Sequence, residues 1–105
     1  SQVVLRDRQA LAEDGMVVVI AQFNKKEGTL VSAPDIVSRG FVQMKDNKEF
    51  IQATRLHLEA VLKKTNTASP IDPDHIKNTI RDELGKYLFQ KTERRPMILP
   101  VLIEV

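Results

Sequence analysis

The stretch TERRPMILPVLIEV, residues 92–105, decides how this chain is read. It sets two arginines against a proline and continues as an apolar run that a second proline, Pro100, interrupts. The run is far shorter than the ~20 apolar residues that a membrane-spanning helix needs. Its role follows from what the rest of the chain requires. From Asp46 to about Lys64 the apolar residues recur with a helical period. At steps of about 100°, Phe50, Ile51, Thr54, Leu58, Val61 and Leu62 fall in one arc of about 120°, with Gln52, Arg55, Glu59 and Lys63 opposite. A second helix is predicted after Asp72, a capping residue, with Pro73 in its first turn and Ile76, Ile80, Leu84, Tyr87 and Leu88 on one side. Each stripe needs an apolar sheet face to lie on. The closing run is most economically a strand of that sheet, with Pro100 at an edge or bulge.

GMVVVIAQF (residues 15–23) is a continuous β-branched run, too short for a full helix, and predicts a central strand buried on both faces. NKKEG (24–28) has the residues of a hairpin loop, and TLVSA (29–33) predicts the return strand, ended by Pro34 and Asp35. FVQM (41–44) predicts a third short strand that Gly40 introduces with a turn or bulge. TNTASP (65–70) is a polar loop, and VVLRDRQAL (3–11) is either an edge strand antiparallel to 17–21 or a linker. The expected architecture is α/β in the α+β sense. It is a small mixed or antiparallel sheet of three to five strands, faced on one side by two amphipathic helices, with residues 1–105 forming a single domain.

With 105 residues, 42% of them hydrophobic and 29% charged, the chain suits one compact domain that buries roughly 65% of its unfolded surface. A formal net charge of +2 permits contact with a polyanion but falls short of the dense basic footprint of a dedicated nucleic-acid binder. The absence of cysteine excludes disulfides, thiolate zinc sites and a cysteine nucleophile, and fits a reducing compartment, so a cytoplasmic location is expected. No charged-then-apolar leader opens the chain, and no membrane association is expected. It starts at Ser1 without an initiator methionine, as expected of a piece excised from a longer protein.

Candidate sites are few. IDPDH (71–75) could contribute ligands to a dinuclear metal centre, but the only other histidine is His57, and a helix start accounts for Asp72, Pro73 and Asp74. Ser32, Ser38 and Ser69 carry no nucleophile motif, and no phosphate loop or dinucleotide fingerprint is present. No catalytic, metal or cofactor residue is therefore expected in this chain. Gly40, between Arg39 and Phe41, suggests a backbone conformation that aims Arg39 outward while Phe41 enters the core, either as a plain loop or as a contact site. Lys86, Lys91, Arg94 and Arg95 gather at the end of the second helix. They complement its dipole, or they meet RNA phosphate or an acidic partner surface. Leu56 and Phe89 fall outside the apolar arcs of their helices, at roughly 240° and 220°. They are ordinary isolated exposures or part of a surface that meets another subunit or domain.

LRDRQALAEDGMVVV, SAPDIVSRGF and above all KTERRPMILPVLIEV make the chain similar to the carboxy-terminal domain of the bacterial ribonuclease J family, in order and over nearly its whole length. The resemblance implies a parent with a metallo-β-lactamase core and an inserted β-CASP domain ahead of a small domain of sheet and two helices. It implies a zinc-dependent ribonuclease that degrades RNA from the 5′ end and also cuts internally, in messenger RNA decay and ribosomal RNA maturation. The metal-ligand motifs of that core are absent from this sequence, so no catalytic residue carries over. The implied role is assembly, with other ribonuclease J subunits and the parent's catalytic domains as partners, and RNA met through the parent.

Overall fold

The computed structural model describes residues 5, 8, 13–65 and 71–105. Valine-rich Met16–Phe23 forms β1, and Asp35–Arg39 forms β2. Lys48–Thr65 forms α1, Pro73–Thr92 forms α2, and the closing run Met97–Glu104 forms β3. The sheet order is β2-β1-β3, with β2 antiparallel and β3 parallel to β1. A parallel neighbour needs a long crossover, and α1 and α2 lie within the segment that joins β1 to β3. Among the described residues the fold is α+β, a three-stranded mixed sheet with the two long helices that the periodicities predict.

The core lies between the sheet and the helices. Val17, Val19, Ala21 and Phe23 of β1 meet Leu58 and Leu62 of α1 and Ile76, Ile80, Leu84 and Leu88 of α2. Fully burying each of the larger side chains contributes about 1.5–3 kcal/mol. Both helix starts are capped by side chains. Asn47 Oδ1 accepts the Phe50 N–H at 3.0 Å, and Asp72 Oδ1 accepts the His75 N–H at 3.2 Å, with Pro73 in the first turn. Asp46, expected to open the first helix, instead sits just before the cap with φ 56°. Thr54, the one polar residue in the core, donates to the Phe50 carbonyl at 2.7 Å, so its hydroxyl is satisfied within its own helix.

Four expectations are corrected. First, β1 is central but not buried on both faces: Met16, Val18 and Ile20 are half-buried and Gln22 is exposed, because the core that the helices form covers the opposite face. Second, the return strand is not 29–33. Only Leu30 bridges to Phe23, with the Val31 N–H still donating to the Gln22 carbonyl, residues 32–34 leave the ladder, and pairing resumes with Asp35 opposite Ile20. Arg55 of α1 holds this segment, its Nε donating to the Pro34 carbonyl at 2.9 Å and its NH2 to the Ala33 carbonyl at 3.5 Å. Third, 41–44 is a turn, in which the Met44 N–H donates to the Phe41 carbonyl at 3.1 Å. Phe41 and Met44 are buried while Val42 is exposed, a spacing that a turn produces and a strand does not. Fourth, within 3–11 the described Leu5 and Arg8 are helical rather than extended, and the rest of that segment lies outside the described residues. Residues 66–70 of the expected polar loop also lie outside them.

Pro100 occupies an edge, as expected. The Met97 N–H donates to the Gly15 carbonyl and the Val105 N–H to the Phe23 carbonyl. Because bonding direction alternates along a strand, the nitrogens of 98, 100, 102 and 104 turn away from β1. The missing N–H of proline therefore removes no ladder bond.

Candidate functional site

The basic residues at the end of α2 are placed by its C-cap. Glu93 adopts φ 59° and its N–H donates to the Phe89 carbonyl at 2.8 Å. This left-handed cap turns the chain out of the helix toward β3. Arg94 and Arg95 then meet Asp14, just before β1. The Arg95 N–H donates to Asp14 Oδ2 at 2.9 Å, and Arg94 NH1 lies 3.7 Å from Asp14 Oδ1. The Arg95 guanidinium stacks on Phe89 with its carbon 4.2 Å from the ring centroid, an arrangement worth about 0.5–1 kcal/mol when exposed. Lys91 lies 5.8 Å over the Tyr87 ring, and Lys86 sits 3.8 Å from Glu83 within the helix.

Arg94 and Arg95 thus share Asp14, with Arg95 on Phe89, whereas Lys91 lies over Tyr87, on the side of α2 that meets α1, and Lys86 lies further back along α2. Arg39 stands on β2. It is exposed, and Gly40 beside it has φ 72° while Phe41 enters the core, as the glycine predicts. Arg39 and Met97 flank the same residue, Met16, which puts Arg39 at the Arg94–Arg95 end of the sheet, two strand spacings or about 10 Å from Met97. Arg39 NH1 donates to the Ser38 carbonyl at 2.8 Å.

Leu56 and Phe89 are exposed by 52% and 38%. They stand on different helices, and Phe89 is the one joined to the cations. A larger apolar surface escaped the sequence reading. Strand alternation puts Met16, Val18 and Ile20 on the side of the sheet away from the core, beside Val37 of β2 and Leu99, Val101 and Ile103 of β3. The last four are exposed by 36–43%. The signal was present in β3, where an apolar residue stands at every position except Glu104, more than one buried face requires. Asp14 and Arg55 were also missed, because each acts on residues far away in the chain. His57 stacks on Tyr87 with centroids 4.4 Å apart. Among the described residues no three His, Cys, Asp or Glu stand close enough to hold a metal ion, and Asp72 serves as a helix cap. These residues therefore do not fit a zinc centre. No described helix is long and apolar enough to cross a membrane.

The class defined by these features is a small α+β domain that presents a partly exposed apolar sheet face and a pair of arginines at one end of the sheet. The family model of the ribonuclease J C-terminal domain matches residues 3–105. The chain is 39% identical over 104 residues to Ribonuclease J2 of Bacillus subtilis (strain 168), covering 98% of this chain and 19% of that protein. It is 35% identical over 103 residues to Ribonuclease J 2 of Staphylococcus epidermidis and 34% identical over 103 residues to Ribonuclease J 2 of Staphylococcus aureus (strain NCTC 8325 / PS 47), covering 98% of this chain and 18% of each. The chain belongs to the ribonuclease J C-terminal domain family. It spans about a fifth of the length of the curated relatives it matches.

Proposed function

We propose that this chain is a non-catalytic assembly domain of a ribonuclease J, which seats the parent's catalytic domains and helps subunits associate into an RNA-competent enzyme. The parent, in this reading, is a cytoplasmic, zinc-dependent ribonuclease that acts from the 5′ end and internally in messenger RNA decay and ribosomal RNA maturation. Its zinc belongs to the part of the parent outside this chain.

The observation that carries the reading is the apolar sheet face away from the core, on which Val37, Leu99, Val101 and Ile103 are exposed beside half-buried Val18 and Ile20. Contiguous apolar surface of this kind marks an interaction site. Three strands of five to eight residues give a face of only a few hundred Å², small for a free-standing complex but sufficient between parts of one polypeptide. The test is the mass in solution of the full-length enzyme, measured with and without residues 1–105 and with Leu99→Glu/Val101→Glu. Loss of oligomeric order or detachment of the domain, detected by faster proteolysis at its boundary, is expected. Unchanged mass and proteolysis in both would overturn the reading.

A second reading, direct contact with RNA, is favoured by the proximity of Arg94 and Arg95, which share Asp14, with Arg39 at the same end of the sheet. It ranks below assembly because Arg94 is paired with Asp14 and Arg95 lies on Phe89. Phe89 and Tyr87, the rings in contact with Arg95 and Lys91, are already stacked under Arg95 and against His57, so neither offers a free face to a base.

A further inference from the structure

We propose that two copies of this chain pair antiparallel through the outer edges of β2, around a twofold axis at Val37, to make one continuous sheet. The inference rests on the assembly reading and gives it a partner and a register.

The edge is available by the bonding pattern. Odd residues of β1 serve β3, since the carbonyls of Gly15 and Phe23 accept from Met97 and Val105. Even residues serve the β2 side, where the Gln22 carbonyl accepts from Val31 at 2.8 Å. Asp35, Val37 and Arg39, opposite Ile20, Val18 and Met16, therefore bond inward, and Ile36 and Ser38 turn their N–H and C=O groups outward. The Ser38 carbonyl accepts from Arg39 NH1 at 2.8 Å, a contact that Arg39 exchanges for Asp35 of the other copy on pairing. Among the described residues no strand pairs with this edge. An open groove runs beside it, lined in part by Ile36, Ser38, Met44, Lys45 and Ile51. The other edge of the sheet, on β3, is interrupted by Pro100, which has no N–H to offer.

Charge complementarity selects a second copy as the occupant. In a symmetric pair centred on Val37, Asp35 of one copy faces Arg39 of the other, and the reverse, while Ile36 faces Ser38. The two residues that turn outward are thus the two that meet, each exchanging both backbone bonds with its partner. Asp35, Val37 and Arg39 share one face by alternation, so both ion pairs flank a Val37–Val37 contact on that side. Asp35 already lies 3.7 Å from Arg55 NH2 yet keeps 71% of its side chain exposed, which leaves it open to a second cation. A single reversal, at either position, converts two attractive pairs into two repulsive ones.

The test is sedimentation of the 105-residue chain across concentration up to about 1 mM, with circular dichroism and melting as controls on the fold. Asp35→Arg and Arg39→Asp are each expected to weaken dimerisation about tenfold, and Asp35→Arg/Arg39→Asp to restore it to within about threefold. Ser38→Pro, which removes an outward N–H and no bond to β1, is expected to abolish it. A chain that stays monomeric throughout, or a dimer insensitive to the single reversals, would overturn the proposal. Loss of the dimer in Leu99→Glu/Val101→Glu, combined with insensitivity to charge reversal, would sink the edge pairing and leave the assembly reading standing.

Discussion

Gly15 and Gly40 meet backbone to backbone at the end of the sheet. Both have positive φ, 84° and 72°, and a Cβ on Gly15 would stand 2.5 Å from the Arg39 carbonyl oxygen, whereas one on Gly40 would meet only the Gly15 Cα at 3.4 Å. This contact allows the chain to leave β2 and enter the Phe41 turn directly beside the start of β1. Two glycines far apart in sequence thus close one corner of the fold.

Their substitution separates two costs. Gly40→Ala carries mainly the backbone penalty of a left-handed residue, about 1–2 kcal/mol. Gly15→Ala adds steric overlap with a backbone that cannot yield, and a loss of at least about 3 kcal/mol is expected. Urea unfolding of both variants checks the order, and equal midpoints would show that the corner is looser than this geometry.

Asp14 ties the end of α2 to the start of β1. Asp14→Ala is expected to cost about 1–2 kcal/mol, because it leaves the Arg95 N–H without its acceptor. Asp14→Asn keeps an acceptor oxygen and should cost less. Arg94→Ala, which removes only a half-exposed ion pair, should change stability by less than about 0.5 kcal/mol. Thermal melts of the three variants supply the ranking.

Leu56→Asp and Phe89→Asp probe the helical side of the domain for subunit contacts. Either is expected to lower the oligomeric order of the full-length enzyme with little effect on folding, since both side chains are exposed. Phe89→Asp also removes the ring beneath Arg95. Light scattering that finds both variants at the parental mass would remove these two residues from the interface.

The chain alone is expected to bind single-stranded RNA weakly at physiological salt. Any binding through phosphates would weaken with a log–log slope of about −0.7 per phosphate neutralised, whereas association through apolar surface changes little with salt. Tight binding that disappears in Arg94→Ala/Arg95→Ala, with the fold intact, would place RNA contact ahead of assembly.

The helices were legible because a 3.6-residue period is written within each segment, as are the Asp72 cap and Pro73. The hairpin was only half legible. Asn24 and Gly28 mark its loop, but the segment before β2 is held by Arg55, which lies 21 residues from Pro34 and stands, by period, on a polar helix face. The basic cluster was visible as composition, whereas its partner Asp14 is 81 residues from Arg95 and carries no local sign of the contact.

The sequence by itself determined the helices α1 and α2, that β1 is central and that the closing run completes the sheet, because periodicity, capping and the need to bury apolar stripes are local or additive. Only the tertiary structure decided that the core forms on one face of the sheet, that the other is apolar and partly exposed, and that β2 turns Ile36 and Ser38 outward. Those outcomes depend on strand order and on contacts between distant residues, for which a one-dimensional pattern of apolar and polar residues holds no coordinate.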